Sequence, residues 1–210
     1  MKLSAIGCRL LKCSILLLSF STYAVPEGNP DRGKLLSGPC TTCHNADGNS
    51  SAPIWPNIAG QQESYLVEQL IEFRKMDKGA RHNPIMDPFV QSLSDQDIFD
   101  LASFFSMQIT KLGKTQANLK LLGEKIYRGG NIETGVPSCA GCHSMDGSGN
   151  ELAKFPKLSG QHADYIAGEL KKFQTGERAN DPNAIMRDIA KRMSDPEIEA
   201  VSSYVAGLHP

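Results

Sequence analysis

The sequence predicts an all-α protein built from two tandem copies of one small domain, and three observations carry that prediction. The first is an internal repeat, the feature to be sought before any other. At an offset of 99 residues Cys40, Cys43, His44, Asp47 and Gly48 fall on Cys139, Cys142, His143, Asp146 and Gly147. At an offset of 100, Pro56, Gly60, Gln61, Tyr65, Leu70, Phe73, Asn83, Ile85, Met86, Ser94 and Asp95 each meet the same residue type, from Pro156 through Asp195. The second is helical spacing: Tyr65, Leu66, Gln69, Leu70 and Phe73 recur at three- and four-residue intervals, as do Tyr165, Ile166, Leu170 and Phe173. The third is the lack of any alternating apolar–polar run that would mark a strand.

Residues 1–24 read as an export leader: Lys2, Arg9 and Lys12 precede the apolar run from Ser14 to Phe20, and Thr22-Tyr23-Ala24 supplies a small-residue cleavage site. That run falls well short of the roughly 20 residues a membrane span requires, so the mature chain is expected to be soluble, outside the cytoplasm and without a transmembrane segment. A first domain is expected over 25–110, a polar linker over 111–118 and a second domain over 119–210. Short helices are expected near 31–36 and 119–127, ahead of each cysteine pair. Ser94 and Ser194 read as N-caps with an acid three residues on, Asp97 and Glu197. Apolar stripes follow them, Ile98, Leu101, Phe104 and Phe105 in one copy, Ile198, Val201 and Tyr204 in the other.

Composition excludes several classes. Lys and Arg total 22 against 23 Asp and Glu, a net charge of −1 that argues against nucleic-acid binding. The charge is unevenly shared: residues 25–113 hold 7 basic and 11 acidic side chains, whereas 114–210 hold 12 of each. Such a difference can bias docking. Of six cysteines, Cys8 and Cys13 fall in the leader and the remaining four all sit in two CxxCH pentapeptides, Cys40-Thr41-Thr42-Cys43-His44 and Cys139-Ala140-Gly141-Cys142-His143.

Two thiols three residues apart can add to the two vinyl groups on one porphyrin edge, and the adjacent histidine then lies beneath the iron. CxxCH is the attachment signature of c-type haem, so two covalently bound haem c groups are expected. Disulfides would leave both adjacent histidines to coincidence. Paired CxxC zinc sites usually stand about 15–20 residues apart, not about 100. A redox dithiol calls for a βαβ setting that is missing here. Haem also answers a packing problem, because a domain of this size with so many Gly, Pro, Asn and Ser residues between its helices buries a thin core by itself.

The repeat selects the other axial ligand. Met86 and Met186 map onto each other, 42 and 43 residues after His44 and His143. Met76, Met107, Met193 and Met145 map onto Gly176, Gly207, Leu93 and Ala46, while His82 and His162 map onto Pro182 and Gln62. Only the paired methionines can give both irons the same ligation. Axial histidines normally give their second ring N–H to a fixed acceptor, and the carbonyls of Pro56 and Pro156, equivalent positions after the two motifs, are expected to accept from His44 and His143.

Cys-Ala-Gly-Cys-His, the Phe155–Gln161 segment and the stretch from Met186 to Asp195 resemble class I cytochromes c, and the two-domain form resembles the cytochrome c4 family over essentially the whole mature chain. In the first copy Trp55 and Asn57 replace the usual Phe and Lys. The resemblance implies two helical haem domains, a periplasmic location, His/Met ligation at both irons and delivery of electrons toward a terminal oxidase. The function expected is therefore a periplasmic dihaem carrier, not an enzyme, passing electrons from a quinol-oxidising complex toward an oxidase. Its partners would be redox proteins, membrane respiratory complexes among them, with peripheral membrane association compatible with that role. The rival reading is a dihaem peroxidase, which needs an axial position that opens and distal acid–base residues.

Overall fold

Cap chemistry sets where the helices begin. Asn29 accepts from the Arg32 amide at 3.0 Å and opens α1 (Pro30–Leu36), with Pro30 supplying the preset φ of a first helical residue. Ser94 accepts from the Asp97 amide at 3.2 Å while the Asp97 carboxylate takes the Ser94 amide at 2.9 Å, opening α5 (Asp95–Ser106). Glu197 likewise takes the Ser194 amide at 2.8 Å at the head of α10 (Asp195–Ala206). The remaining helices are α2 (Thr41–His44), α3 (Glu63–Lys75), α4 (Asp87–Val90), α6 (Lys120–Gly129), α7 (Ala140–His143), α8 (Ala163–Thr175) and α9 (Ile185–Ala190). This computed structural model describes residues 27–77 and 81–209; the segment read as a leader lies outside them. Among the described residues no strand forms, only isolated bridges at Asn131–Val136 and Asn150–Phe155.

The two halves repeat one arrangement. In the first, α1 and α3 pack on α5; in the second, α6 and α8 pack on α10. Gly33 and Gly123 make the first crossing of each half possible, because a Cβ at either would run into a backbone carbonyl, that of Asp100 or Ala200. Apolar clusters fill each half separately: Leu66, Ile98, Leu101 and Phe105 with Cys40 against them, and Ile126, Val136, Ile198, Val201 and Val205 with Cys139 against them. Residues 109–116 are pinned rather than loose. Asn49 bonds the backbone of Ile109 and Lys111, and Gly113, Thr115 and Gln116 bond Ala206, Tyr204 and Ser203.

The halves meet through polar groups related by a pseudo-twofold exchange. The Gln61 side chain clasps the backbone of Lys157, and Gln161 clasps that of Asn57. Arg81 stacks on Phe73 and reaches across to Tyr165 and Glu169, at 2.8 and 2.7 Å. Arg178 stacks on Phe173 and reaches back to Tyr65 and Gln69, at 3.0 and 3.1 Å. Arg178 also bonds Glu169 at 2.6 Å, so one carboxylate serves two buried guanidinium groups. Tyr65 and Gln69, which helical spacing alone assigns to the core stripe, instead face the other half.

Burial would raise the Glu169 carboxyl, but Arg81, Arg178 and Lys172 outweigh it and bring the pKa down to about 2. A carboxylate at about 4.3 in the unfolded chain and about 2 in the folded one stabilises the fold above pH 4.3 and loses that contribution as pH falls through 2. The difference corresponds to about 3 kcal/mol. Guanidinium unfolding of the native protein should therefore show its midpoint dropping between pH 4.3 and 2, and E169Q should lose Glu169's share of that dependence, the rest coming from Asp47, Asp97, Asp100, Asp146 and Glu197, whose carboxyls are also held below their ordinary values. Separately, G33A and G123A should each destabilise by about 1–3 kcal/mol through overpacking at the helix crossings, read from the same unfolding curves at pH 7.

Candidate functional site

Each CxxCH segment folds as a single helical turn that stops at its histidine. In the first half a 3₁₀ turn, Gly38–Cys40, runs into α2; in the second, Cys139 caps α7. The next residue then takes a positive φ with extended ψ, Asn45 at φ 59° and ψ 168° and Ser144 at φ 67° and ψ 158°. Such backbone is tolerated best where the side chain bonds locally. Asn45 does so with the Asn49 carbonyl at 2.6 Å, and Ser144 with the Gly149 carbonyl at 2.8 Å. Three residues on, Gly48 and Gly147 also have positive φ, and their carbonyls collect two amides each, from Ile58 and Ala59 and from Leu158 and Ser159. These closures fold the following loop back over the histidine.

That fold-back brings the proline carbonyls to the rings. Pro56 O lies 2.9 Å from His44 Nδ1, and Pro156 O lies 2.9 Å from His143 Nδ1. A carbonyl only accepts, so Nδ1 carries the proton in both rings and Nε2 keeps its lone pair. Both histidines are buried, and burial pushes their pKa below the ordinary value against the smaller opposing pull of the proline carbonyl. The result is two neutral imidazoles held in one tautomer, the form that binds a metal.

The cysteines fit a covalent group better than a redox pair. None of the four cysteines among the described residues is joined in a disulfide, and Cys142 is exposed. Burial pushes the Cys139 thiol up to about 11 and raises Cys40 as well, the opposite of the lowered pKa that makes a reactive dithiol. Met86 stands half-buried at the start of α4, which packs on α3, and Met186 stands half-buried in the first turn of α9, which packs on α8. Their approaches differ. Asn83 caps the Ile85 and Met86 amides in the first half, whereas Asp181 takes the Arg187 amide in the second after a left-handed Asn183–Ala184 pair. The Arg81, Arg178 and Glu169 cluster escapes sequence reading. Arg81 stands five residues before Met86 but Arg178 eight before Met186, so a fixed offset does not align them.

Two single-turn CxxCH segments, each with a neutral buried histidine, in two copies of one helical domain define a c-type cytochrome with two haem domains. The cytochrome c family profile matches residues 31–107 and 122–209. A cytochrome c4 from Thiocapsa roseopersicina is 47% identical over 88% of this chain and 96% of its own length. The crystal structure of reduced recombinant cytochrome c4 from Pseudomonas stutzeri superposes with a TM-score of 0.84 at 43% identity, covering 87% of this chain and 100% of that one. A thiosulfate dehydrogenase electron acceptor from Stutzerimonas stutzeri is 37% identical over 80% of this chain and 78% of its own. The chain belongs to the cytochrome c4 family. It is a dihaem electron-transfer cytochrome, with Cys40, Cys43, Cys139 and Cys142 fitting the motifs that attach two haem c groups. None of these relatives supports the peroxidase reading.

Intact mass and pyridine-haemochrome absorbance should give two haems per chain. Replacing Cys139 and Cys142 by Ser should leave one.

Proposed function

We propose that the protein is a periplasmic one-electron carrier, not an enzyme, whose irons are held by His44 and Met86 in the first half and by His143 and Met186 in the second. The observation that carries this reading is the equivalence of the two sites. The same histidine–carbonyl bond, 2.9 Å in both, is paired with a methionine at the same place in the repeat. A haem iron held by methionine sulfur and imidazole would have no position left for a substrate, and methionine ligation would raise its potential. Two such centres permit hopping between haems. Pro56 and Pro156 fix the tautomer and raise the basicity of each axial histidine. The haem domains span 25–110 and 119–210, joined by 111–118.

Electrons enter from a quinol-oxidising complex and leave toward a terminal oxidase, through small transient interfaces whose charges govern the rate of encounter. The leader at 1–24 supports export. No helix among the described residues is long and apolar enough to cross a membrane. The likeness to a thiosulfate dehydrogenase electron acceptor favours one alternative donor, a sulfur-oxidising dehydrogenase; stopped-flow reduction by each donor class separates the two.

M86A and M186A should each abolish one methionine-to-ferric-iron absorption band and lower that haem's potential, read by spectroelectrochemical titration. An unchanged spectrum would remove the axial assignment. Rapid peroxide turnover by the reduced protein, with loss of one methionine ligand, would replace the carrier reading with the peroxidase one.

A further inference from the structure

The two halves do more than touch at the glutamine clasps. The peptide unit joining Pro56 to Asn57 has its carbonyl on His44 Nδ1 at 2.9 Å and its N–H on Gln161 Oε1 at 2.8 Å. The peptide unit joining Pro156 to Lys157 has its carbonyl on His143 Nδ1 at 2.9 Å and its N–H on Gln61 Oε1 at 2.9 Å. Both glutamines are buried, and each also donates through Nε2 to the carbonyl of the same residue whose amide it receives, at 2.8 Å to Asn57 and 2.9 Å to Lys157. A three-member chain thus runs from each histidine, through one peptide, to a side chain of the opposite half. We propose that Gln161 and Gln61 are reciprocal positioning residues, each setting the electron-donating strength of the axial histidine in the other half and so the reduction potential of the other half's haem.

Amide resonance couples the two ends of each peptide unit. A peptide C=O and its N–H share one delocalised system. An acceptor on the N–H therefore shifts density toward the carbonyl oxygen and strengthens the bond that oxygen receives, as hydrogen bonds in chains polarise one another. A stronger pull on Nδ1–H gives the ring more imidazolate character and makes Nε2 the better donor to iron. That donation favours the ferric state and lowers the potential. Loss of the Gln161 acceptor reverses the sequence in the first half, and loss of the Gln61 acceptor reverses it in the second.

This inference rests on His44 and His143 being the axial ligands. Methionine has nearly the shape of glutamine and lacks the amide, so Q161M and Q61M remove the chain with little change of volume. Other contacts hold each pair of segments together in the variants: Asn57 Nδ2 to the Gly160 carbonyl at 2.9 Å, and Lys157 Nζ to Thr110 Oγ1 at 2.8 Å. Haem methyl resonances, assigned to each half through their contacts with neighbouring residues, are followed during a redox titration of the full holoprotein.

Q161M should raise the ferrous-to-ferric ratio of the first-half haem about twofold or more at a fixed applied potential, a modest share of the effects seen for outer-shell partners, and leave the second-half haem nearly unchanged. Q61M should do the converse. A shift confined to the same half, an equal shift of both haems, or no shift in a folded protein overturns the proposal. Should either methionine variant fail to take up haem, Q161N and Q61N, which keep the amide but shorten its reach, are read by the same crossed criterion. The hyperfine-shifted ring protons of His44 and His143 in the unmodified protein test the ligation itself. Their absence would overturn the axial assignment, a result distinct from a failed crossing.

Discussion

Everything in this structure depends on keeping an imidazole buried, neutral and aimed. A histidine in a domain this small could rotate, take up a proton or offer the wrong nitrogen. One hydrogen bond to a proline carbonyl rules out the wrong tautomer, and burial opposes the proton. That carbonyl is in place because of backbone events upstream: a positive-φ residue straight after the histidine, and a positive-φ glycine whose carbonyl gathers two amides from the returning loop. Loop strain, helix end and metal-ready ring are one construction, made twice.

Much of this was legible in the residues, for physical reasons. The CxxCH segments are local chemistry, and a pattern repeated at a spacing of about 100 shows that both copies face the same demands. Cap residues are local too, which is why Ser94 with Asp97 and Ser194 with Glu197 announce α5 and α10 correctly. What stayed hidden is non-local. Periodicity reports that Tyr65 and Gln69 lie on a buried face but not what buries them, and the answer is the other half of the chain. The equivalence of Arg81 and Arg178 is hidden by their unequal distances from Met86 and Met186. The stretch between the copies reads as a polar linker, and composition does not show that its backbone bonds both halves.

A polar interface of this kind differs from the apolar clusters inside each half. Buried guanidinium groups cost several kcal/mol each unless paired. Arg81 finds its carboxylate, Glu169, in the other half, whereas Arg178 pairs with Glu169 inside its own half and crosses to the neutral Tyr65 and Gln69, each arginine braced on a phenylalanine of its own half. Separating the halves would take Glu169 away from Arg81 and leave the Arg178–Glu169 pair in one half. The interface therefore favours one relative placement of the two haem domains.

The arginine cluster also has an evolutionary reading. Its pseudo-twofold pattern is that of an isologous dimer, in which one patch meets its own copy. In a dimer of identical subunits, position 69 would have to match position 169, giving two glutamines or two facing carboxylates. This chain has Gln69 opposite Glu169, so a single negative charge sits between two arginines. Two identical subunits cannot hold that mismatch, whereas two halves encoded at different places in one chain can. Tethering also makes the association intramolecular, independent of how dilute the protein becomes. Duplication within one gene thus released each half from mirroring the other.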